Sequence, residues 1–132
     1  MAVVRRPRVA VLGAGCIGAW VGGMLARAGC AVTLIGRPRL ADAVAHGGLH
    51  VGALGQPASP APLQVALGPE GAADADILVV AVKGRDTSAA AESVRAHLRP
   101  DAIVVSFQNG LRNPERLRAA LPQHRVVPGM VS

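Results

Sequence analysis

An α/β fold built on a doubly wound, mostly parallel sheet is predicted by three features of this 132-residue chain. Short β-branched apolar runs alternate with segments of helical periodicity. The run from Ile77 to Val82 contains no polar residue, as a central parallel strand covered on both faces requires. A glycine turn, Gly13-Ala14-Gly15-Cys16-Ile17-Gly18, joins the first apolar run to the first helical segment.

The elements follow in order. Val9 to Leu12 reads as a buried strand. Ile17, Val21, Met24, Leu25 and Ala28 recur at helical spacing, and Gly29 stands where a left-handed C-terminal cap falls. Ala31 to Ile35 is a second β-branched run, which completes a parallel pair with its crossover helix. Pro38 suits the first turn of a short helix running to about Ala45, which Gly47-Gly48 would stop. Leu49 to Val51 and Leu63 to Leu67 alternate as half-exposed strands do. Pro57, Pro60 and Pro62 mark a loop between them, so an antiparallel excursion at the sheet edge is expected. Asp76 precedes the central strand. Asp86 or Thr87 would cap the next helix, with Ala90, Val94 and Leu98 on one face and Pro100 ending it. Ala102 to Val105 is another buried strand. Asn113 and Pro114 make an N-cap and N1 pair for a helix with Leu117 and Leu121 on its apolar edge, and Arg125 to Val127 forms a last strand. Ligands of such sheets bind beyond the carboxyl ends of the strands, so site residues should lie just after them.

Composition narrows the function. The length suits one domain with a core rather than two full-sized domains. At 51% hydrophobic residues, a globule is expected rather than disorder. No apolar run reaches the ~18 residues of a membrane span. Glycines interrupt the stretch after Arg5, Arg6 and Arg8, so no secretory signal is expected. Cys16 and Cys30 have no metal-ligand spacing and read as reduced thiols of a cytoplasmic protein. The net charge of +6 raises nucleic acid as a partner, but one Trp, one Phe and no Tyr leave no stacking platform, and the arginines are scattered. A phosphorylated small molecule, or plain arginine bias, fits the charge better.

Three signals, spread over four loops, carry chemistry. In the first, Gly13 permits the turn, Gly15 lets a pyrophosphate approach the backbone, and Gly18 lets the helix pack close to the strand. The helix start adds unpaired N–H groups and the positive end of its dipole. In the second, Arg37 follows the second strand, where an NAD site would place a carboxylate; none occurs before Asp42. A guanidinium matches a 2′-phosphate, which favours NADP over NAD; the alternative is a solvated loop arginine. The third signal is a pair of later loops. Lys83, the sole lysine, could meet a phosphate, a ribose or a keto acid, or be an ordinary surface lysine. Asn109 offers a donor and an acceptor to a carboxamide or a hydroxyl, or is a turn asparagine. His46, His50, His97 and His124 show no partner pattern, Asp74 and Asp76 precede a strand on the far side, and Trp20 reads as packing.

Together these loops resemble the N-terminal, NADPH-binding part of the ketopantoate reductase (2-dehydropantoate 2-reductase) family, over essentially the whole chain. The resemblance is carried by Gly13-Ala14-Gly15-Cys16-Ile17-Gly18, Arg37, Ala81-Val82-Lys83 and Gln108-Asn109-Gly110-Leu111. The glycine turn is shared by many dehydrogenases; the lysine and the Gln-Asn-Gly-Leu loop are more particular. The resemblance implies a Rossmann-like fold and NADP(H) held by Gly13, Ala14, Gly15, Cys16, Ile17, Gly18, Arg37, Val82, Lys83 and Asn109. Lys83 and Asn109 would also meet the substrate, a small 2-oxo acid. The family reduces 2-dehydropantoate to (R)-pantoate on the route to pantothenate and coenzyme A. Its catalytic lysine and glutamate lie in a second, helical domain, so neither is assigned here. Residues 1–132 are thus expected to form a nucleotide-binding domain incomplete at its C-terminus, inactive alone and prone to self-association through the face a second domain would cover. No metal is expected. Three alternatives stay open: a different hydroxy-acid dehydrogenase, a non-catalytic NADP-binding module, and a methyltransferase, which Arg37 opposes.

Overall fold

A computed structural model describes residues 6–13, 15–51, 59–108 and 112–129. Six strands form one sheet: β1 (Arg8–Leu12), β2 (Ala31–Ile35), β5 (Gln64–Ala66), β6 (Ile77–Val80), β7 (Ile103–Phe107) and β8 (Arg125–Gly129). Their spatial order is β5-β2-β1-β6-β7-β8, and every neighbouring pair is parallel. The chain builds outward from β1 through β2, then crosses back to β6 on the other side of β1. That reversal is the topological switch point, where such sheets open a crevice.

Alternation along the strands sends side chains to two apolar layers. Val9, Val11, Val32, Leu34 and Val79 pack with Val21, Met24 and Leu25 of α1 (Cys16–Arg27) and Leu40 of α2 (Pro38–Gly47). Ala10, Leu12, Leu78, Val80 and Val104 face the other way, onto Ala91 and Val94 of α3 (Thr87–Arg95) and Leu117 of α4 (Asn113–Ala120). The sheet is therefore sandwiched between helices, as the polar-free central strand requires. Gly29 and Gly48 end the first two helices with positive φ, 100° and 72°.

Several expectations shift. An antiparallel pair does form, but β3 (Leu49–Val51) pairs with β4 (Ser59–Ala61) rather than with the segment 63–67. That segment yields β5, which extends the main sheet parallel to β2. Pro60 falls inside β4, where a two-stranded ribbon consists only of edges and the missing N–H breaks no central ladder. Pro57 lies outside the described residues. The central strand closes at Val80, and Ala81 and Val82 already belong to the following loop. The helix starts differ from the expectation. Asp86 holds the N-cap position of α3 without a side-chain cap bond, and Asn113 is the first helical residue of α4 rather than its cap. In α3 the fully buried small residue is Ala91, with Ala90 only partly buried against the core.

Candidate functional site

At the switch point lies an open cleft of about 720 Å³. Its floor is Gly13 and Gly15 after β1, Gly36 and Arg37 after β2, and Ala81, Val82 and Lys83 after β6. All of these follow strands, as the topology demands. Ile35, Leu40 and Ala43 add an apolar wall.

The glycines divide their work. Gly13 has φ 95°, and a Cβ there would sit 2.7 Å from the Val82 nitrogen. A Cβ on Gly18 would strike the Gly13 carbonyl oxygen and lie 3.3 Å from the Ala81 Cβ, so this glycine serves the packing of α1 on the sheet. Gly15 differs, with φ −76° and, among the described residues, nothing within 4 Å of where a Cβ would stand. No contact among the described residues requires glycine there, and Gly15 lines the cleft.

Charge in the cleft is lopsided. Arg37, Arg39, Lys83 and Arg85 line it against one carboxylate, Asp86. Both helices that start at its edge, α1 and α2, lack a side-chain cap and any acidic residue in the first turn. Their N-terminal N–H groups and dipoles therefore favour an anion. Arg37 occupies the N-cap position of α2 and Arg39 its first turn, so both guanidinium groups flank that helix start. The composition of the cleft suits an aromatic base with phosphates.

Of the residues expected at the site, Gly13, Gly15, Arg37, Val82 and Lys83 line this one cleft. Ile17 does not; its side chain is 40% exposed on α1. Ala14 and Asn109, with Gly110 and Leu111, lie outside the described residues. His46 and His124 stand apart from the cleft: His46 bonds the Asp42 carbonyl, and His124 the Arg99 carbonyl. Asp76 is at the opposite end of the sheet, paired with Arg99 at 2.8 Å. Trp20, read as packing, is 46% exposed. Among the described residues no cluster of His, Cys, Asp or Glu could hold a metal ion, and no helix is long and apolar enough to cross a membrane.

Beneath the cleft the sequence reading missed a buried polar group. Thr87, Ser106, Gln108 and Asn113 are all under one-tenth exposed. The Gln108 amide donates to the Val82 carbonyl and the Thr87 hydroxyl, both at 2.8 Å, and its oxygen accepts from Ser106 at 3.1 Å. Thr87 donates to Asn113 Oδ1 at 3.3 Å. Small polar residues after strands read as caps and turns, so the sequence offers no signal that these four meet.

Known proteins share this architecture. The 2-dehydropantoate 2-reductase of Halobacterium salinarum is 37% identical over 123 residues, which is 92% of this chain and 40% of that protein. The enzyme of the same name from Pyrococcus horikoshii is 34% identical over 83% of this chain and 35% of its own length. A crystal structure of a PanE/ApbA family ketopantoate reductase from Ralstonia eutropha superposes with a TM-score of 0.86 at 36% identity, covering 92% of this chain and 40% of that one. The chain thus spans well under half the length of these relatives. The family model for ketopantoate reductase PanE/ApbA matches residues 9–132. That match begins in β1 and takes in every loop of the cleft, and on it the chain belongs to the ketopantoate reductase PanE/ApbA family.

Proposed function

We propose that this chain is the NADPH-binding part of an oxidoreductase that reduces the ketone of 2-dehydropantoate to (R)-pantoate, a cytoplasmic step toward pantothenate and coenzyme A. One observation carries the reading: a glycine-floored cleft at the switch point, ringed by four cations and a single carboxylate. The residues fit the cofactor, since the side of Gly15 facing the cleft is clear and two helix starts are left for anions. When bound, NADPH supplies a hydride. Gly13, Gly15 and the start of α1 hold its pyrophosphate, and Ala14, Cys16, Ile17 and Gly18 complete that turn. Arg37 pairs with the 2′-phosphate beside Arg39, and Val82 gives an apolar wall. Lys83 and Asn109 orient the cofactor and the 2-oxo acid.

The family resemblance puts the catalytic lysine and glutamate in a second domain. A hydride acceptor also needs a proton donor for its developing alkoxide. The 132-residue chain alone is therefore expected to bind the cofactor without oxidising it when 2-dehydropantoate is added. Isothermal titration with NADPH, NADH and S-adenosylmethionine tests the binding. NADPH should bind tightest and S-adenosylmethionine not at all. Binding of S-adenosylmethionine, or no dinucleotide binding, overturns the reading.

A further inference from the structure

Gln108 is 7% exposed, and both ends of its amide are engaged. The orientation of that amide is forced. The Val82 carbonyl can only accept, so the NH₂ end must face it, and Ser106 must then donate to the other end. Thr87 accepts from Gln108 and donates its own hydroxyl hydrogen bond to Asn113 Oδ1. The result is a chain of one direction, Ser106 to Gln108 to Thr87 to Asn113, joining the end of β7 to the first turns of α3 and α4. Packing alone does not call for it, because an apolar side chain would fill the space without polar groups to satisfy.

What the chain touches is the cleft. Val82, whose carbonyl Gln108 holds, lines the cleft and immediately precedes Lys83, and Gln108 directly follows β7. We propose that Gln108 is a positioning residue for the cofactor site: its amide bolts the loop carrying Lys83 to the loop after β7 and so sets where the ammonium stands in the cleft. The inference rests on the dinucleotide reading above. Burial strengthens the bolt, since hydrogen bonds shielded from water are stronger and costly to leave half made.

The test uses the 132-residue chain and two readouts, NADPH affinity by titration and the thermal unfolding midpoint. Gln108→Met keeps the size and removes every polar contact. It should weaken NADPH by about tenfold, the scale of one lost interaction in a shielded site. In a Lys83→Ala background the same change should weaken NADPH less than about twofold, because the group it positions is gone. Should Gln108→Met fail to fold, Thr87→Val breaks the chain one bond further away and should show a smaller loss with the same dependence on Lys83. Thr87→Ser, which keeps the hydroxyl, should restore affinity. A purely structural role predicts equal losses with and without Lys83, and that result overturns the inference. A folded Gln108→Met protein that binds NADPH like its parent overturns it too, while leaving the dinucleotide reading intact. A parent that binds no dinucleotide overturns both.

Discussion

Arg37 stands at the N-cap of α2, exposed and beside Arg39, with no acidic residue in that first turn. Such a guanidinium gains most from an anion brought to it. Arg37→Ala should weaken NADPH by roughly 1.5–3 kcal/mol, the range for a hydrogen bond to a charged group. NADH, which lacks the phosphate, should be nearly unaffected, and titration of both cofactors separates a phosphate contact from a general loss of charge. The glycines make a second residue-scale prediction. Gly15→Ala meets no atom of the described residues and needs no unusual φ, so the unfolding midpoint should stay within a degree or two while NADPH affinity falls. Gly18→Ala drives a methyl into the Gly13 carbonyl and should destabilise the fold by about 1–3 kcal/mol, as other overpacked positions do. Equal effects of the two substitutions on denaturant unfolding would contradict this division of labour.

At the scale of elements, the end of the sheet opposite the cleft is held by Asp76. Its carboxylate accepts from the Arg8 backbone N–H at 2.9 Å and from Arg99 at 2.8 Å. Its main chain bonds Arg8 and Ile103, so one residue ties β1, β6 and β7 together. Asp76→Ala should cost about 1.5–3 kcal/mol in urea unfolding, with two charge-assisted bonds lost, and leave NADPH affinity unchanged. A weakened cofactor complex would show that the two ends of the sheet are coupled. Asp76 also marks how much the sequence discloses. Its place on the far side follows from strand order alone, because a residue before a parallel strand cannot reach the carboxyl end. The apolar run of β1 and the glycine turn are legible for the same reason: each is a local pattern with a local cause. Thr87 and Asn113 are not. Both suit a helix cap by residue type, and only the packing of α3 beside α4 brings Thr87 to Asn113 and to Gln108. The segment 63–67 is a similar case, since its alternation specifies an edge strand but not which edge it joins.

For the whole molecule, net charge and exposed apolar surface oppose each other. The chain carries +6, and like charges keep copies apart at low ionic strength. Ile17 and Trp20, three positions apart on α1, are 40% and 46% exposed and share one face of that helix. Two adjoining apolar side chains open to solvent give α1 an apolar face that a second copy could cover. The isolated 132-residue chain is therefore expected to self-associate through α1, and the response to salt identifies the force. Raising ionic strength from 0.1 to 1 M shortens the screening length from about 10 Å to about 3 Å, which removes the repulsion and leaves the apolar attraction. Sedimentation velocity should then show association growing with salt. Trp20→Gln should return the chain to a monomer at both salts. Association that falls as salt rises would assign the contact to the arginines instead, and a monomer throughout would overturn the expectation of self-association.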